Sequence, residues 1–301
     1  MSHCHIIFVP GKNPKPPVEQ HKNLLWRVLV EGVKRASPDL VTSLEQFKNN
    51  FDVASWNYLY YKETKDINRD LPWIDALQNQ HAPTEKDIEE ANSTHYHLLR
   101  ILYSIVDYLP FLLHLVPGTL KSTAEEVRRY FKNEDYIASN IRNVLKDQLR
   151  PLLKNNEKVL LIGHSLGSVI AYDTLWELSH QEHIHSKVDL FLTLGSPLGM
   201  NYVQSRLKGS DYENEMKYPA NIKRWVNVAA EGDITALDRE FADDFSEMKT
   251  LGLVDDIEDH CRGIYNFFRN DEGLNAHRSY GYLVNPAVGK VIADWCRENN
   301  K

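Results

Sequence analysis

The stretch Lys158-Val-Leu-Leu-Ile-Gly-His-Ser-Leu-Gly-Ser-Val-Ile-Ala-Tyr-Asp173 changes its hydrophobic period midway. Residues 159–162 form an unbroken apolar run, the pattern of a strand covered on both faces. From Ser168 onward, Val169, Ile170, Tyr172, Leu175 and Trp176 recur at helical spacing. Between the two lies Gly163-His164-Ser165-Leu166-Gly167. The stretch therefore reads as a buried strand, a sharp turn carrying a serine, and a helix.

That turn fits the Gly-x-Ser-x-Gly pattern in the strand–turn–helix context that gives the pattern meaning. Its spacing has a steric cause. A serine projecting above a sheet sits on a strained turn, and side chains two residues before and after it would strike the neighbouring strand or helix. The helix that starts there points its first N–H groups at the serine, where negative charge would be stabilised.

The totals narrow the setting. A chain of 301 residues accommodates one large α/β domain, or such a domain with a sizeable insertion. A formal net charge of -7 leaves no basic excess for neutralising phosphates, which argues against nucleic acid as a partner. Three scattered cysteines, Cys4, Cys261 and Cys296, suit free thiols in a reducing compartment. The first ten residues lack a basic segment followed by a long apolar core, so a cytoplasmic protein is expected.

Along the chain, residues 5–9 read as a first strand ended by Pro10-Gly11, residues 18–35 as an amphipathic helix, and residues 51–61 as a second strand. Strand, helix, strand is the unit of a parallel sheet. Residues 62–130 break the rhythm, with a helical pattern over 85–108 and a dense apolar stretch over 98–116. Arg100, Asp107, Pro110 and His114 interrupt that stretch, so it does not qualify as a membrane span. It reads either as the core of a helical cap or as an apolar lid that admits acyl chains and touches a lipid surface transiently. Residues 133–153 return to a regular helix, and strands are expected over 188–194, 224–229 and, last, 262–268. Pro286 opens a terminal helix. His180, His183 and His185 invite a metal reading, but a solvated helix end explains them equally well, and no metal or cofactor is expected.

The elbow resembles that of the α/β-hydrolases, in particular the lipase and esterase group with Gly-His-Ser-Leu-Gly. A second segment, Leu194-Gly195-Ser196-Pro197-Leu198-Gly199, is similar to one found after the next strand in some phospholipases. The resemblance implies an α/β-hydrolase fold: a mostly parallel sheet with helices on both faces, residues 1–61 and 131–301 as core and 62–130 as a helical cap. It implies a chain order of serine, acid, histidine, each in a loop at the C-terminal end of a strand. Ser165, Asp233 and His277 satisfy that order. It also implies an oxyanion pocket formed by the backbone N–H groups of Leu166 and Lys12. Downstream of Asp233 only His260 and His277 are available as base, and His260 is expected at the wrong end of the sheet. Asp238 and Asp259 stay open as alternative acids, and His164 reads as a packing residue of the elbow.

The reading is a serine hydrolase acting on small-molecule carboxylic esters with lipid-like or hydrophobic acyl groups. A thioesterase or acyltransferase on the same three residues, and a non-catalytic binding protein on the same fold, are the competing readings.

Overall fold

The computed structural model describes residues 4–94, 118–236 and 238–299. Its centre is a six-stranded sheet in the order β2-β1-β3-β4-β5-β6. The strands are β1 (Cys4–Val9), β2 (Phe51–Val53), β3 (Lys158–His164), β4 (Val188–Leu194), β5 (Ile222–Val228) and β6 (Asp256–His260). Every pairing among them is parallel. A small antiparallel hairpin, β7 (Arg269–Asn270) with β8 (Gly273–Leu274), stands apart.

Alternation along the strands sorts the core into two layers. On β1, Ile6 and Phe8 join the cluster on one face, and Ile7 and Val9 join the cluster on the other. The first cluster is closed by α1 (Val18–Ala36), through Leu25, Val28 and Leu29, and by the last helix, through Val288 and Ile292. The second is closed by α3 (Ile137–Lys154) and α4 (Leu166–Trp176), through Ile141, Leu145, Val169 and Ile170. Helix α2 (Gly118–Lys132) leads into α3, and α5 (Pro286–Asn299) ends the described chain. Helices α1 and α5 meet backbone to backbone: a Cβ on Gly289 would lie 2.0 Å from the Gly32 carbonyl oxygen.

A buried polar network pins α2, α3 and α4 together. The Tyr130 hydroxyl donates to Asp173 Oδ2 at 2.8 Å, and Arg142 donates to Tyr130 Oη at 3.2 Å and to Glu177 at 2.8 Å. The Lys208 N–H closes the network on Asp173 Oδ1 at 2.8 Å. Of the long connection over residues 62–130, the helix Leu71–Asn79 buries Ile74 and Leu77 in the first core cluster. The apolar stretch over 98–116 and most of the helical pattern over 85–108 lie outside the described residues. Among the described residues, no helix is long and apolar enough to cross a membrane.

Two sequence expectations are corrected. Residues 51–61 are not one strand: only Phe51–Val53 pairs with β1, and Asn57–Tyr61 forms a short helix. The aromatic density there serves loop packing, as the site shows below. Nor are residues 262–268 the last strand. That strand is Asp256–His260, an edge strand of largely half-exposed residues, which is why its sequence is polar. Ile264, Phe267 and Phe268 are apolar because they pack as a buried loop into the first cluster.

Candidate active site

Chain order reverses between β1 and β3, since β2 lies on one side of β1 and β3 on the other. In open parallel sheets a crevice forms outside the strand ends at such a switch point. Pro10-Gly11 leaves β1 there and Ser165 leaves β3 there. The two loops touch: a Cβ on Gly11 would come within 2.9 Å of Ser165 Cβ.

Ser165 has φ 53° and ψ −129°, a conformation that a side chain adopts only when its surroundings enforce it. The enforcement is visible. The Ser165 N–H donates to Leu194 O at 3.0 Å, and its carbonyl accepts from the N–H and hydroxyl of Ser168 at 2.9 and 2.6 Å. Ser196 reaches Ser168 Oγ at 2.7 Å, so the Leu-Gly-Ser-Pro-Leu-Gly segment buttresses the elbow from β4. The motif glycines are required for the close approach: a Cβ on Gly167 would lie 2.2 Å from Val9 O, and one on Gly163 would lie 2.7 Å from Ser168 Cα.

His277 lies in the loop between β8 and the short helix Ser279–Leu283. Its Nε2 is 2.8 Å from Ser165 Oγ and its Nδ1 is 2.9 Å from Asp233 Oδ2. Asp233 follows β5 and is fully buried. Burial by itself would raise its pKa. The charge of His277 and hydrogen bonds from His277, Tyr282 and Thr235 outweigh that and hold it well below the usual carboxylate range. The Tyr282 hydroxyl donates to Asp233 Oδ2 at 2.6 Å and accepts the Ala230 N–H at 2.9 Å. Thr235 donates its N–H and hydroxyl to Asp233 Oδ1, at 2.9 and 2.7 Å, and its Oγ1 is 2.6 Å from His277 Nδ1. Gly195 makes room for the pair: a Cβ there would lie 2.6 Å from Asp233 Oδ2.

Ser165, His277 and Asp233 thus form one continuous hydrogen-bonded chain. Tyr282 and Thr235 were not anticipated. Thr235 carried a readable signal, since an acid followed two residues later by threonine commonly folds back on itself in a turn. Tyr282 carried none; only the packing of its helix brings it to Asp233. The other candidates lie elsewhere. Asp259 accepts from Asn227 and the Ala242 N–H, and Asp238 from the Glu240 N–H. His260 is at the C-terminal end of β6, paired with Val228, so its expected place at the wrong end of the sheet is corrected. Its ring faces Glu258 at 3.4 Å rather than the serine. His180 faces the Tyr218 carbonyl at 2.7 Å, and among the described residues no group of three or more potential ligands could hold a metal ion.

His164 does pack in the elbow. Its Nε2 lies 2.7 Å from the His277 carbonyl oxygen. Burial, then the neighbouring charge of His277, hold its pKa well below the ordinary value, so the neutral ring donates from Nε2 and tethers the loop bearing His277. On the opposite side, the loop after β1 is held by the misread aromatic stretch. Trp56 Nε1 donates to Pro10 O at 2.8 Å, Asn57 Nδ2 donates to Gly11 O and Asn13 O at 2.8 and 2.9 Å, and the Asn13 N–H donates to Tyr61 Oη at 2.9 Å. Leu166 is the first residue of α4, where backbone N–H groups lack helical partners.

Residues 120–229 match the family model of the PGAP1-like alpha/beta domain. The fold is that of an α/β-hydrolase. The match runs from α2 to the loop after β5 and takes in Ser165, stopping short of Asp233 and His277. No curated protein matches the chain. No solved structure does either.

Proposed function

We propose that this protein is a serine hydrolase that cleaves carboxylic esters, with lipid-like or hydrophobic acyl groups favoured. The observation that carries the reading is the unbroken contact from Ser165 Oγ to His277 Nε2 and from His277 Nδ1 to Asp233. In this mechanism His277 takes the Ser165 proton as the oxygen attacks the ester carbonyl, then gives a proton to the leaving alcohol. Asp233 selects the Nδ1–H tautomer and stabilises the imidazolium. The N–H groups of Leu166 and Lys12 receive the oxyanion, Lys12 following the Gly11 that abuts the serine. Water then resolves the acyl-enzyme.

Residues 62–130 are the cap in this reading, and a transient contact of the cap with a lipid surface belongs to it. Cys4, Cys261 and Cys296 are all buried and unpaired, which supports a cytoplasmic setting.

The test is labelling with a fluorophosphonate and turnover of p-nitrophenyl esters from acetate to palmitate. Ser165→Ala is expected to abolish labelling, and Ser165→Ala or His277→Ala to lower kcat by about 10⁴-fold or more. Labelling that survives Ser165→Ala would overturn the assignment. A labelled enzyme that cleaves thioesters and no oxygen ester would move the reading to a thioesterase.

A further inference from the structure

Helix α2 contacts both segments that border Ser165, the loop after β1 and helix α4. Glu126 and Tyr130 lie one turn apart on it and share a face. Tyr130 donates to Asp173 on α4, the helix that Leu166 opens. Glu126 faces the loop after β1. The Lys12 ammonium lies 3.8 Å from its Oε2, and the two side chains keep 19% and 23% of their exposure.

Tyr60 sets the register of α2 against that loop. Its hydroxyl donates to the Glu126 carbonyl oxygen at 2.9 Å, and Arg129 Nη1 donates to Tyr60 O at 3.5 Å. The Arg129 guanidinium lies 4.2 Å from the centre of the Tyr60 ring. The next residue, Tyr61, accepts the Asn13 N–H at 2.9 Å. Burial, with the nearby Glu126 charge and against the Asn13 hydrogen bond, raises the Tyr61 pKa, so the hydroxyl keeps its proton to donate to the Glu126 carboxylate.

Residues 10–17 lie in no strand or helix, so no ladder of backbone hydrogen bonds aims the Lys12 N–H. Side chains take over that task. Lys15 holds the Lys12 carbonyl at 2.7 Å, Tyr61 and Asn57 hold Asn13 at its N–H and carbonyl, and Glu126 attracts the Lys12 side chain itself. As a stabilising device the Glu126 carboxylate is poorly arranged. Its Oε2 is shielded from solvent and takes no hydrogen bond, which costs stability more than a contact at 3.8 Å returns. As a device that fixes one loop before an oxyanion forms, it is well placed, since a backbone donor contributes most when it is aimed in advance.

We propose that Glu126 is a positioning residue for the oxyanion pocket. Through Lys12 and Tyr61 it aims the Lys12 N–H, and through α2 it keeps that donor in register with the Leu166 N–H at the head of α4. The inference rests on the esterase reading and names the helix outside the sheet on which turnover depends.

The experiment compares wild type with four variants. Glu126→Gln is isosteric and removes the charge alone, Lys12→Met removes the ammonium and keeps the backbone N–H, Lys12→Arg restores a cation, and the fourth combines Glu126→Gln with Lys12→Met. The readings are kcat and KM on p-nitrophenyl butyrate, and Ki for an aliphatic trifluoromethyl ketone. Ser165 Oγ adds to the carbonyl carbon of that ketone, its proton passes to His277, and the carbonyl oxygen becomes the anion held in the pocket. Glu126→Gln and Lys12→Met are each expected to lower kcat by about 5- to 30-fold, below the 10²–10³ of a donor lost outright, with KM within about twofold of wild type. Ki is expected to rise by the same factor. The combined variant is expected to lose no more than either single one, and Lys12→Arg to stay within about threefold of wild type. An unchanged kcat in Glu126→Gln overturns the assignment, as do losses that multiply in the combined variant. A raised KM with kcat intact also overturns it and gives Glu126 to substrate binding. If wild type cleaves no ester, the esterase reading falls and the rate of fluorophosphonate labelling at Ser165 decides. Labelling slowed equally in both single variants and in the combined one keeps the positioning role, and labelling at the wild-type rate, or none in wild type, removes it.

Discussion

At the scale of single residues, Asp233 shows how hydrogen bonds and one neighbouring imidazole hold a buried acid in its ionised form. Tyr282 and Thr235 donate to it, and His277 completes the set. Removing one donor tests how far that shell sets the geometry. Tyr282→Phe takes a hydrogen bond from Asp233 and leaves the buried Ala230 N–H without its acceptor. Stability is expected to fall by about 1–3 kcal/mol. Ester turnover is expected to fall by roughly tenfold in kcat with little change in KM, because the group orients Asp233 and touches no substrate. Urea unfolding and steady-state kinetics read the two effects, and an unchanged kcat would show that Thr235 alone suffices. At this scale the sequence was legible where chemistry limits the choice. Few residue types can serve as nucleophile, base and acid, and few histidines follow Asp233. It was silent on Tyr282, whose role depends on how its helix packs.

Among the elements, the turn after β3 and the loop after β1 are positioned by different means. The elbow is held from within by steric necessity, and the glycines that announce it are the ones the backbone contacts demand. The loop after β1 is held from outside by Trp56, Asn57 and Tyr61. Asn57→Ala is expected to free the Gly11 and Asn13 carbonyls and blur the position of the Lys12 N–H. An oxyanion donor lost in this way costs about 10²–10³ in kcat at most, so a loss of about 10- to 100-fold is expected, with fluorophosphonate labelling retained. A variant with full kcat would remove Lys12 from the proposed pocket. The elements misread from sequence share one cause. Strand propensity measures fit to a half-buried surface, so the aromatic run after Phe51 resembled a strand while the polar edge strand Asp256–His260 did not. Residues 188–194, buried on both faces, gave no such ambiguity.

For the molecule as a whole, the network around Asp173 couples stability to pH. Burial raises its pKa to about 6, against the attraction of Arg142 and the hydrogen bonds from Lys208 and Tyr130. The folded state therefore holds a proton that the unfolded state releases near pH 4. Stability from this group falls as pH rises through the window from about 4 to about 6, by up to about 3 kcal/mol. Urea midpoints of wild type and Asp173→Asn at pH 4.5 and pH 7 test this. The wild type is expected to lose ground relative to the variant at the higher pH, and parallel profiles would sink the idea. The layered fold followed from strand and helix periods; the network did not, because its members are far apart in sequence and meet only through helix packing.

The backbone contact between Gly32 and Gly289 also sets an order of events during synthesis. The strand and helix made first, β1 and α1, find their partners β3 and α5 only after much of the remaining chain has been made. At ribosomal speed the Gly32 face of α1 waits roughly 10–50 s for the helix that meets it there.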